Sequence, residues 1–270
     1  MTEWLEVSRA IVADVKRVLA ELPTRVEREP AVGIGEGGDE TTAIDLAAED
    51  AAVAKLDDLH RRGIEFTLVS EELGERRFGS GERRVVLDPI DGSLNAKRGI
   101  PFFSLSLAVA EGSRMGDVSF GYVYDFGTGE EWTAERGAGA RLDGEPLVGP
   151  GPKDEIELLS FEATRTDLVA EKVGPMVGFA YRTRIMGSLA LSLCHLAAGR
   201  VDAVCSLKPA RSVDIAAGQL LVRERGLAIE LPEAGPFAYA PLDVGARSRV
   251  VAAATPERCA ELFARLSSSR

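Results

Sequence analysis

The stretch Arg84-Val85-Val86-Leu87-Asp88-Pro89-Ile90-Asp91-Gly92-Ser93-Leu94-Asn95 constrains this chain more than any other. A β-branched run leads straight into two carboxylates three residues apart, followed by a glycine, a hydroxyl and an amide. Val85 to Leu87 read as a short buried strand, and Pro89 is not expected to extend it as a central strand because it brings no N–H. Proline also fixes its own φ and pushes Asp88 toward an extended shape, so the backbone is expected to turn just past Asp88. Such a turn aims Asp88, the Ile90 carbonyl and Asp91 at one point. Gly92 lets the main chain approach a ligand closely, and the N–H groups of Ser93 to Asn95, if they open a helical turn, suit an anion. Carboxylates and amides serve opposite charges, so one site holding both implies metal ions with a phosphate above them.

The flanking sequence supplies further acids at the ends of elements. Trp4 to Leu22 repeats apolar residues at helical spacing and stops at Pro23, and Arg25 to Pro30 is charged and irregular. Val32 to Gly38 formally contains G-x-G-x-x-G, but no good strand precedes it, so a mobile glycine-rich loop is expected there instead of a dinucleotide site. Thr42-Ala43-Ile44-Asp45 reads as a capping box opening a helix that runs to about Arg62, with Gly63 as its stop and Ile44, Ala48, Ala51, Leu56 and Leu59 on its apolar face. Taken alone, Asp45 is a first-turn acid favoured by the helix dipole. Phe66 to Ser70 reads as a strand ending at Glu71-Glu72, a second acidic strand end close to the first. Phe103 to Ala110, Val118 to Tyr124 and Glu131 to Ala134 read as strands, and Glu135 to Gly144 as a turn-rich segment.

Gly149-Pro150-Gly151-Pro152 marks a boundary by composition, dividing the chain into 1–150 and 151–270. Beyond it, strands fit Ile156 to Phe161, Tyr181 to Ile185, Val201 to Ser206 and Arg249 to Ala253. Helices fit Asp167 to Val177, Ser188 to Ala198, Val213 to Glu224 and Pro256 to Leu266, the last capped by Thr255. The first half thus reads as two helices and a mostly antiparallel sheet (α+β), the second as alternating α/β.

Here 270 residues with 45% hydrophobic and 28% charged composition suffice for one large or two intimate domains. A net charge of −11 argues against broad binding to nucleic acid or an anionic membrane. Met1 to Glu6 carry no basic run, and the apolar stretch from Ile100 to Ala110 falls well short of the roughly 20 residues a spanning helix needs. A cytoplasmic protein is expected, with Cys194, Cys205 and Cys259 as free thiols. His60 and His195 read as structural, which argues against a histidine-based triad.

Asp88-Pro89-Ile90-Asp91-Gly92-Ser93 resembles the signature of the magnesium-dependent inositol monophosphatase and fructose-1,6-bisphosphatase superfamily. The extension Leu94-Asn95-Ala96-Lys97-Arg98-Gly99-Ile100-Pro101-Phe102-Phe103-Ser104 is most similar to the archaeal-type dual enzymes, which accept both inositol phosphates and fructose 1,6-bisphosphate. Gly33 to Asp45, Met186-Gly187-Ser188, Gly199 to Ala203 and Val213-Asp214-Ile215-Ala216-Ala217-Gly218 resemble further family segments. Two departures stand out: the family's Thr-x-Thr-Lys loses its lysine at Asp39-Glu40-Thr41-Thr42, and Val213 stands where a tryptophan is usual.

The resemblance implies a layered α-β-α-β-α fold and a family homodimer. It implies Mg²⁺, with Mn²⁺ as substitute, held by Glu71, Asp88 and the Ile90 carbonyl at one position and by Asp88, Asp91 and Asp214 at a second. A third ion near Glu71 could engage Glu72 through water. It further implies in-line attack by a metal-activated water that Ser93, hydrogen-bonded to Asp45, would orient. The phosphate would rest on the Gly92 and Ser93 amides. Arg184, Lys208 and Arg211 are candidates for a second phosphate, with ordinary surface salt bridges as the competing reading. The expected substrate is a small phosphorylated polyol or sugar, inositol 1-phosphate or fructose 1,6-bisphosphate. The alternatives are a 3′(2′),5′-bisphosphate nucleotidase and a non-catalytic regulatory module on the same fold. The three-residue spacing of Asp88 and Asp91 argues against phosphatases that use a nucleophilic Asp-x-Asp.

Overall fold

The computed structural model describes residues 2–36, 38, 40–150, 153, 155–162 and 165–268. Two helices, α1 (Thr2–Glu21) and the single turn α2 (Arg25–Arg28), lead to the strands β1 (Ala31–Ile34) and β2 (Glu40–Thr42) and the long helix α3 (Ala43–Arg61). Strands β3 (Phe66–Ser70), β4 (Gly74–Phe78) and β5 (Arg84–Asp91) precede the short helix α4 (Ser93–Arg98). Strands β6 (Ser104–Ala110), β7 (Val118–Asp125), β8 (Glu131–Glu135), β9 (Gly139–Leu142) and β10 (Glu145–Pro146) then follow in succession. The second half runs β11 (Ile156–Glu162), α5 (Thr166–Val173), β12 (Ala180–Arg184), α6 (Leu189–Ala197), β13 (Ala203–Ser206), β14 (Ala210–Arg211) and α7 (Ser212–Glu224). It closes with β15 (Ala228–Glu230), β16 (Arg247–Ser248), β17 (Val251–Ala253) and α8 (Pro256–Ser267).

Among the described residues, β10-β9-β8-β7-β6-β5-β3-β4 form an eight-stranded sheet, antiparallel except where β3 and β5 pair in parallel. A five-stranded sheet, β12-β11-β13-β17-β15, belongs wholly to the second half. There β11 runs parallel to β12 and β13, while β17 is antiparallel to both its neighbours. Helices α1 and α3 cover one face of the large sheet, α7 and α6 lie between the two sheets, and α8 backs β15 and β17. This is a layered α-β-α-β-α arrangement of mixed α/β type.

The sheets divide where the composition changes, but the hydrophobic core does not. Val69, Val86, Ala108, Val123 and Trp132 of the large sheet share one buried cluster with Leu189 to Leu191 of α6 and with Val213, Ala216, Leu220 and Leu221 of α7. A second cluster, including Trp4, Ile11, Ile44, Leu56, Phe66 and Leu87, fills the space under α1 and α3. Gly151 and Pro152 of the boundary motif lie outside the described residues.

Several local expectations are corrected. Strand β5 does not stop at Asp88; it runs through Pro89 to Asp91 as a central strand between β3 and β6. Its register on β6 slips between Asp88 (opposite Ser106) and Asp91 (opposite Ser104), so Pro89 and Ile90 face a single residue. A β-bulge of this kind accommodates a proline that cannot donate to the ladder, and it re-aims the side chains around it. The expected glycine-rich loop is largely a hairpin: Ala31 pairs with Thr42 and Ile34 with Glu40, and the Glu36 amide donates to the Glu72 carbonyl at 3.0 Å. Gly37 and Asp39 of that segment lie outside the described residues. Arg25–Arg28 forms a helical turn because Thr24 caps it, the Thr24 amide donating to Glu27 Oε2 at 2.9 Å. Within Glu135 to Gly144, Gly139–Leu142 pairs with β8. On α3 the buried apolar face includes Ala52 and Val53 in place of Ala51, and it carries the wholly buried Glu49.

Helix α7 meets the large sheet at a glycine. A Cβ on Gly121 of β7 would lie 2.8 Å from the Ala217 carbonyl oxygen, closer than packed atoms tolerate. Gly121→Val should therefore push α7 off the sheet and destabilise the fold by about 1–3 kcal/mol, the usual cost of overpacking. Urea unfolding checks this, and an unchanged midpoint would show that α7 can shift without cost.

Candidate active site

The site is assembled by strand pairing. Because β3 and β5 run parallel, with Ser70 beside Leu87, the next residue of each lies beside the other, one just past the end of β3 and one at the bulge within β5. Those residues are Glu71 and Asp88. The third acid arrives from across the core: Asp214 sits in the first turn of α7, where its Oδ2 accepts the Arg211 amide at 2.8 Å in a capping box. Glu71, Asp88 and Asp214 each place a carboxylate oxygen within 4.8 Å of the others. They line a cleft of about 240 Å³ whose walls include Ile90, Asp91, Gly92, Ser93, Glu162, Lys208, Arg211 and Arg247.

Crowding acids in a buried place has a consequence in charge. Burial first, and repulsion from Asp214 second, push Glu71 up to about 8, against the opposing pull of Arg211. Burial also raises Asp88 well above the ordinary carboxylate range, with Glu71, Asp91 and Asp214 adding to the shift. Asp91 is pushed up to about 7 by burial and by Asp214, while the Ser188 hydroxyl and the Ala190 amide pull it down. Asp214 is raised by burial, and the Arg211 amide and the charges of Arg211, Arg247 and Lys208 oppose the shift. Such a set is stable ionised only beside compensating positive charge. Three carboxylates converging without histidine or cysteine are the donor chemistry of a hard divalent cation, so the residues fit a metal site.

The other expected site residues take varied positions. Asp91 Oδ2 accepts the Ser188 hydroxyl and the Ala190 amide (2.8 Å), so one of its oxygens caps α6. The Ser93 hydroxyl donates to the Ile90 carbonyl at 3.0 Å and not to Asp45, which corrects the expected Ser93–Asp45 hydrogen bond. Asp45 Oδ2 is taken up by its own cap, the Thr42 amide (3.1 Å) and hydroxyl (2.5 Å), whereas its buried Oδ1 has no hydrogen-bond partner. Gly92, at φ +99°, serves packing as much as any ligand, for a Cβ there would meet the Gly187 carbonyl at 2.9 Å. Glu72 accepts the Thr41 hydroxyl and thereby holds the β1–β2 hairpin beside the cleft.

Of the three basic candidates, Lys208 and Arg211 line the cleft and Arg184 does not. Arg184 is exposed at the end of β12 and donates to the Thr183 carbonyl at 2.9 Å. Arg211 is buried and forms an ion pair with Glu71, so it serves the acidic cluster directly. Sequence reasoning missed Arg247, Glu162 and Glu49. Arg247 lies in a region with no strong periodicity and is brought back to the cleft by the short pairing of β16 with β14. Glu162 ends β11 just as Glu71 follows β3, and the same strand-end argument would have found it. Burial pushes Glu49 up to about 7, and it accepts the Ser70 hydroxyl immediately before Glu71.

With that geometry in hand, the relatives are informative. The inositol monophosphatase family model matches residues 1–270. The chain belongs to the inositol monophosphatase family. It is 34% identical over 252 residues to a fructose-1,6-bisphosphatase/inositol-1-monophosphatase of Archaeoglobus fulgidus, covering 92% of each chain. A protein of the same description from Methanothermobacter thermautotrophicus is 34% identical over 265 residues, covering 94% of this chain and 93% of that one. Among solved structures, that of an inositol monophosphatase–fructose 1,6-bisphosphatase superposes with a TM-score of 0.83 at 29% identity, covering 97% of this chain and 99% of the other. Among the described residues, no helix is long and apolar enough to cross a membrane.

The raised acids set the sign of a pH effect. Glu71, Asp88, Asp91 and Asp214 all sit above their unfolded values near 4, so the folded metal-free protein binds more protons than the unfolded chain. Their contribution is complete below about pH 4 and is lost as pH rises through the folded values, toward pH 8. In EDTA, the melting temperature should fall between pH 5 and pH 8; Mg²⁺ should restore it, more at pH 8 than at pH 5. Asp88→Asn should flatten both dependences. A pH-independent melting temperature in EDTA would show that the four acids are not coupled through burial.

Proposed function

We propose that this member of the inositol monophosphatase family hydrolyses phosphate monoesters of small polyols and sugars, inositol 1-phosphate and fructose 1,6-bisphosphate, with Mg²⁺ as cofactor. The observation that carries this reading is the convergence of Glu71, Asp88 and Asp214 within 4.8 Å at the base of a cleft rimmed by Lys208 and Arg247. Glu71, Asp88 and Asp214 would hold the metal, with Asp91 and the Ile90 carbonyl completing the set, and the hard donors favour Mg²⁺ with Mn²⁺ as substitute. Bound there, the metal supplies charge neutralisation to the acids and Lewis-acid polarisation to the phosphate.

The chain's own groups then do the positioning. The turn at Gly92 leaves the first amides of α4 at the cleft, where a phosphate can rest on the Gly92 and Ser93 N–H groups. Ser93 has committed its hydroxyl hydrogen to the Ile90 carbonyl, so its lone pairs are presented to a water hydrogen. Asp45 keeps its buried Oδ1 without a partner while Thr42 fixes Oδ2, which leaves Oδ1 as an acceptor for the proton that the attacking water loses. The water oxygen attacks phosphorus in line with the ester oxygen, the ester bond breaks, and the departing alkoxide is protonated by solvent. Glu72 is read as a support for the hairpin edge of the site through Thr41, with a water-mediated role toward a third ion.

Lys208 and Arg247 are read as the seat of a second phosphate, and Arg211 as a charge partner of Glu71 with secondary access to substrate. A homodimer would find apolar surface to cover at the exposed Val177, Tyr181 and Ile185 beside β12.

Phosphate release with Mg²⁺ from inositol 1-phosphate, fructose 1,6-bisphosphate and adenosine 3′,5′-bisphosphate tests the reading. Turnover should be fastest on the first two; preference for the nucleotide would make the protein a bisphosphate nucleotidase, and no release from any would leave a non-catalytic member of the fold. Asp45→Asn should lower kcat by roughly 10²–10⁴-fold, the range for losing general-base assistance, with Mg²⁺ affinity by calorimetry little changed. Lys208→Ala and Arg247→Ala should each raise KM for fructose 1,6-bisphosphate by about 10-fold or more over any change for inositol 1-phosphate, as expected for a charged hydrogen bond. Equal effects on both esters would remove these residues from second-phosphate recognition.

A further inference from the structure

The turn that presents Glu71 is backed by a buried acid that the reaction above does not use. Strands β3 and β4 pair as a hairpin with Ser70 opposite Gly74, so Glu71, Glu72 and Leu73 form the turn between them. Glu49 of α3 reaches both ends of that turn. Its Oε1 accepts the Ser70 hydroxyl just before Glu71. The Leu73 amide, beyond Glu72, lies near enough to favour the ionised form of the same carboxylate. Glu49 stands four residues after Asp45, so the two acids share one face of α3, and both are buried.

The surroundings of Glu49 do not favour a charge. Its partners are a hydroxyl and a main-chain amide, and the charged groups that act on it, Glu72 and Asp50, are both acids. Its Oε2 is buried with no hydrogen-bond partner among the described residues. A glutamine could accept the Ser70 hydroxyl without bringing a charge, and an uncompensated buried charge is costly. The cost is offset if a cation is held by Glu71, which lies between the two groups that Glu49 engages. Glu49 itself does not line the cleft, so any effect on the site passes through the turn and through its charge.

We infer that Glu49 is a positioning residue for the metal: it anchors the Ser70 to Leu73 turn to α3, so that Glu71 keeps its place against Asp88 and Asp214, and its buried charge adds to the attraction for the cation they hold. The same anchor fixes the separation between Glu71 and Asp45, since Asp45 lies one turn earlier on α3. This inference rests on the metal-dependent phosphatase reading given above.

The test pairs calorimetry of the full-length protein with Mg²⁺ alone, at pH 8, with melting in EDTA at the same pH. Glu49→Gln keeps the shape and an acceptor for Ser70 while removing the charge. It should weaken Mg²⁺ binding by roughly 10–100-fold, the usual effect of altering a group that orients a metal ligand, with a melting temperature in EDTA at or above that of the wild type. Ser70→Ala keeps the acid and removes its hydroxyl partner, and it should weaken Mg²⁺ binding by roughly 3–10-fold, as for one lost hydrogen bond. Wild-type affinity in Glu49→Gln would overturn the inference. So would a loss of affinity accompanied by a lowered melting temperature in EDTA, which would make Glu49 a plain support for the β3–β4 turn. If the glutamine variant does not fold, Ser70→Ala decides, and unchanged affinity there overturns the inference. A wild-type protein that takes up no Mg²⁺ is a different result, and it overturns the metal-dependent reading together with this one.

Discussion

The repulsion among Glu71, Asp88, Asp91 and Asp214 is the constraint around which the rest of the molecule is arranged. Burial raises all four, and three lie within 4.8 Å of one another, so the fold must bring them together against their own preference. It does so with covalent and hydrogen-bonded geometry that the acids cannot easily escape. Glu71 and Asp88 are fixed by the parallel register of β3 and β5, Asp214 by its cap on α7, and Asp91 by the N-terminus of α6. Arg211 supplies a buried ion pair on Glu71. A scaffold of this kind is preorganised for a cation: folding has already met the cost of gathering the charge, so an ion held there would bind without that penalty.

That arrangement explains why the two halves cannot be separated at the composition boundary without losing the site. The large sheet lies in the first half and carries Glu71, Asp88 and Asp91, but Asp214 and the two groups that cap Asp91 come from the second. The route between them is the buried cluster in which Val86 and Ala108 meet Val213 and Ala217, tightened by Gly121 against the α7 backbone. Packing density in that cluster sets the distance between Asp214 and Asp88. Core residues far from any ligand therefore bear on metal geometry, since densely packed interiors transmit small volume changes.

The Asp-Pro-Ile-Asp-Gly-Ser stretch makes the acids at Asp88 and Asp91 legible from the residues alone, because spacing and residue type there speak directly to chemistry. The long helices and the alternating strands are equally plain, since each buries one face at a regular period. What the sequence conceals is pairing. Pro89 looks like the end of a strand, and only the partner β6 reveals that a bulge absorbs it. Val32 to Gly38 looks like a loop until Glu40–Thr42 is set beside it. The hydroxyl of Ser93 donates to the Ile90 carbonyl, three residues back in its own turn, and residue type alone does not distinguish that local acceptor from Asp45. Arg184 and Arg247 show the same limit from two sides: an arginine beside a family segment stays exposed, while one in a stretch without pattern lines the cleft.

The cleft gathers charges of both signs, and the mixture is informative. Lys208 and Arg247 line it near β14 and β16, and Glu162, at the end of β11, lines it beside them, its carbonyl accepting the Leu207 amide at 2.9 Å. The same space holds four acids that burial raises, and Arg211 is paired with one of them, Glu71. On the proposed reading, a phosphate monoester would be repelled by ionised carboxylates unless a cation were bound among them, so the acids that would hold the ion would also disfavour substrate at the metal-free site. On that reading charge alone would set the order of events, the cation first and the phosphate second, because only a bound cation reverses the sign of the field at the base of the cleft.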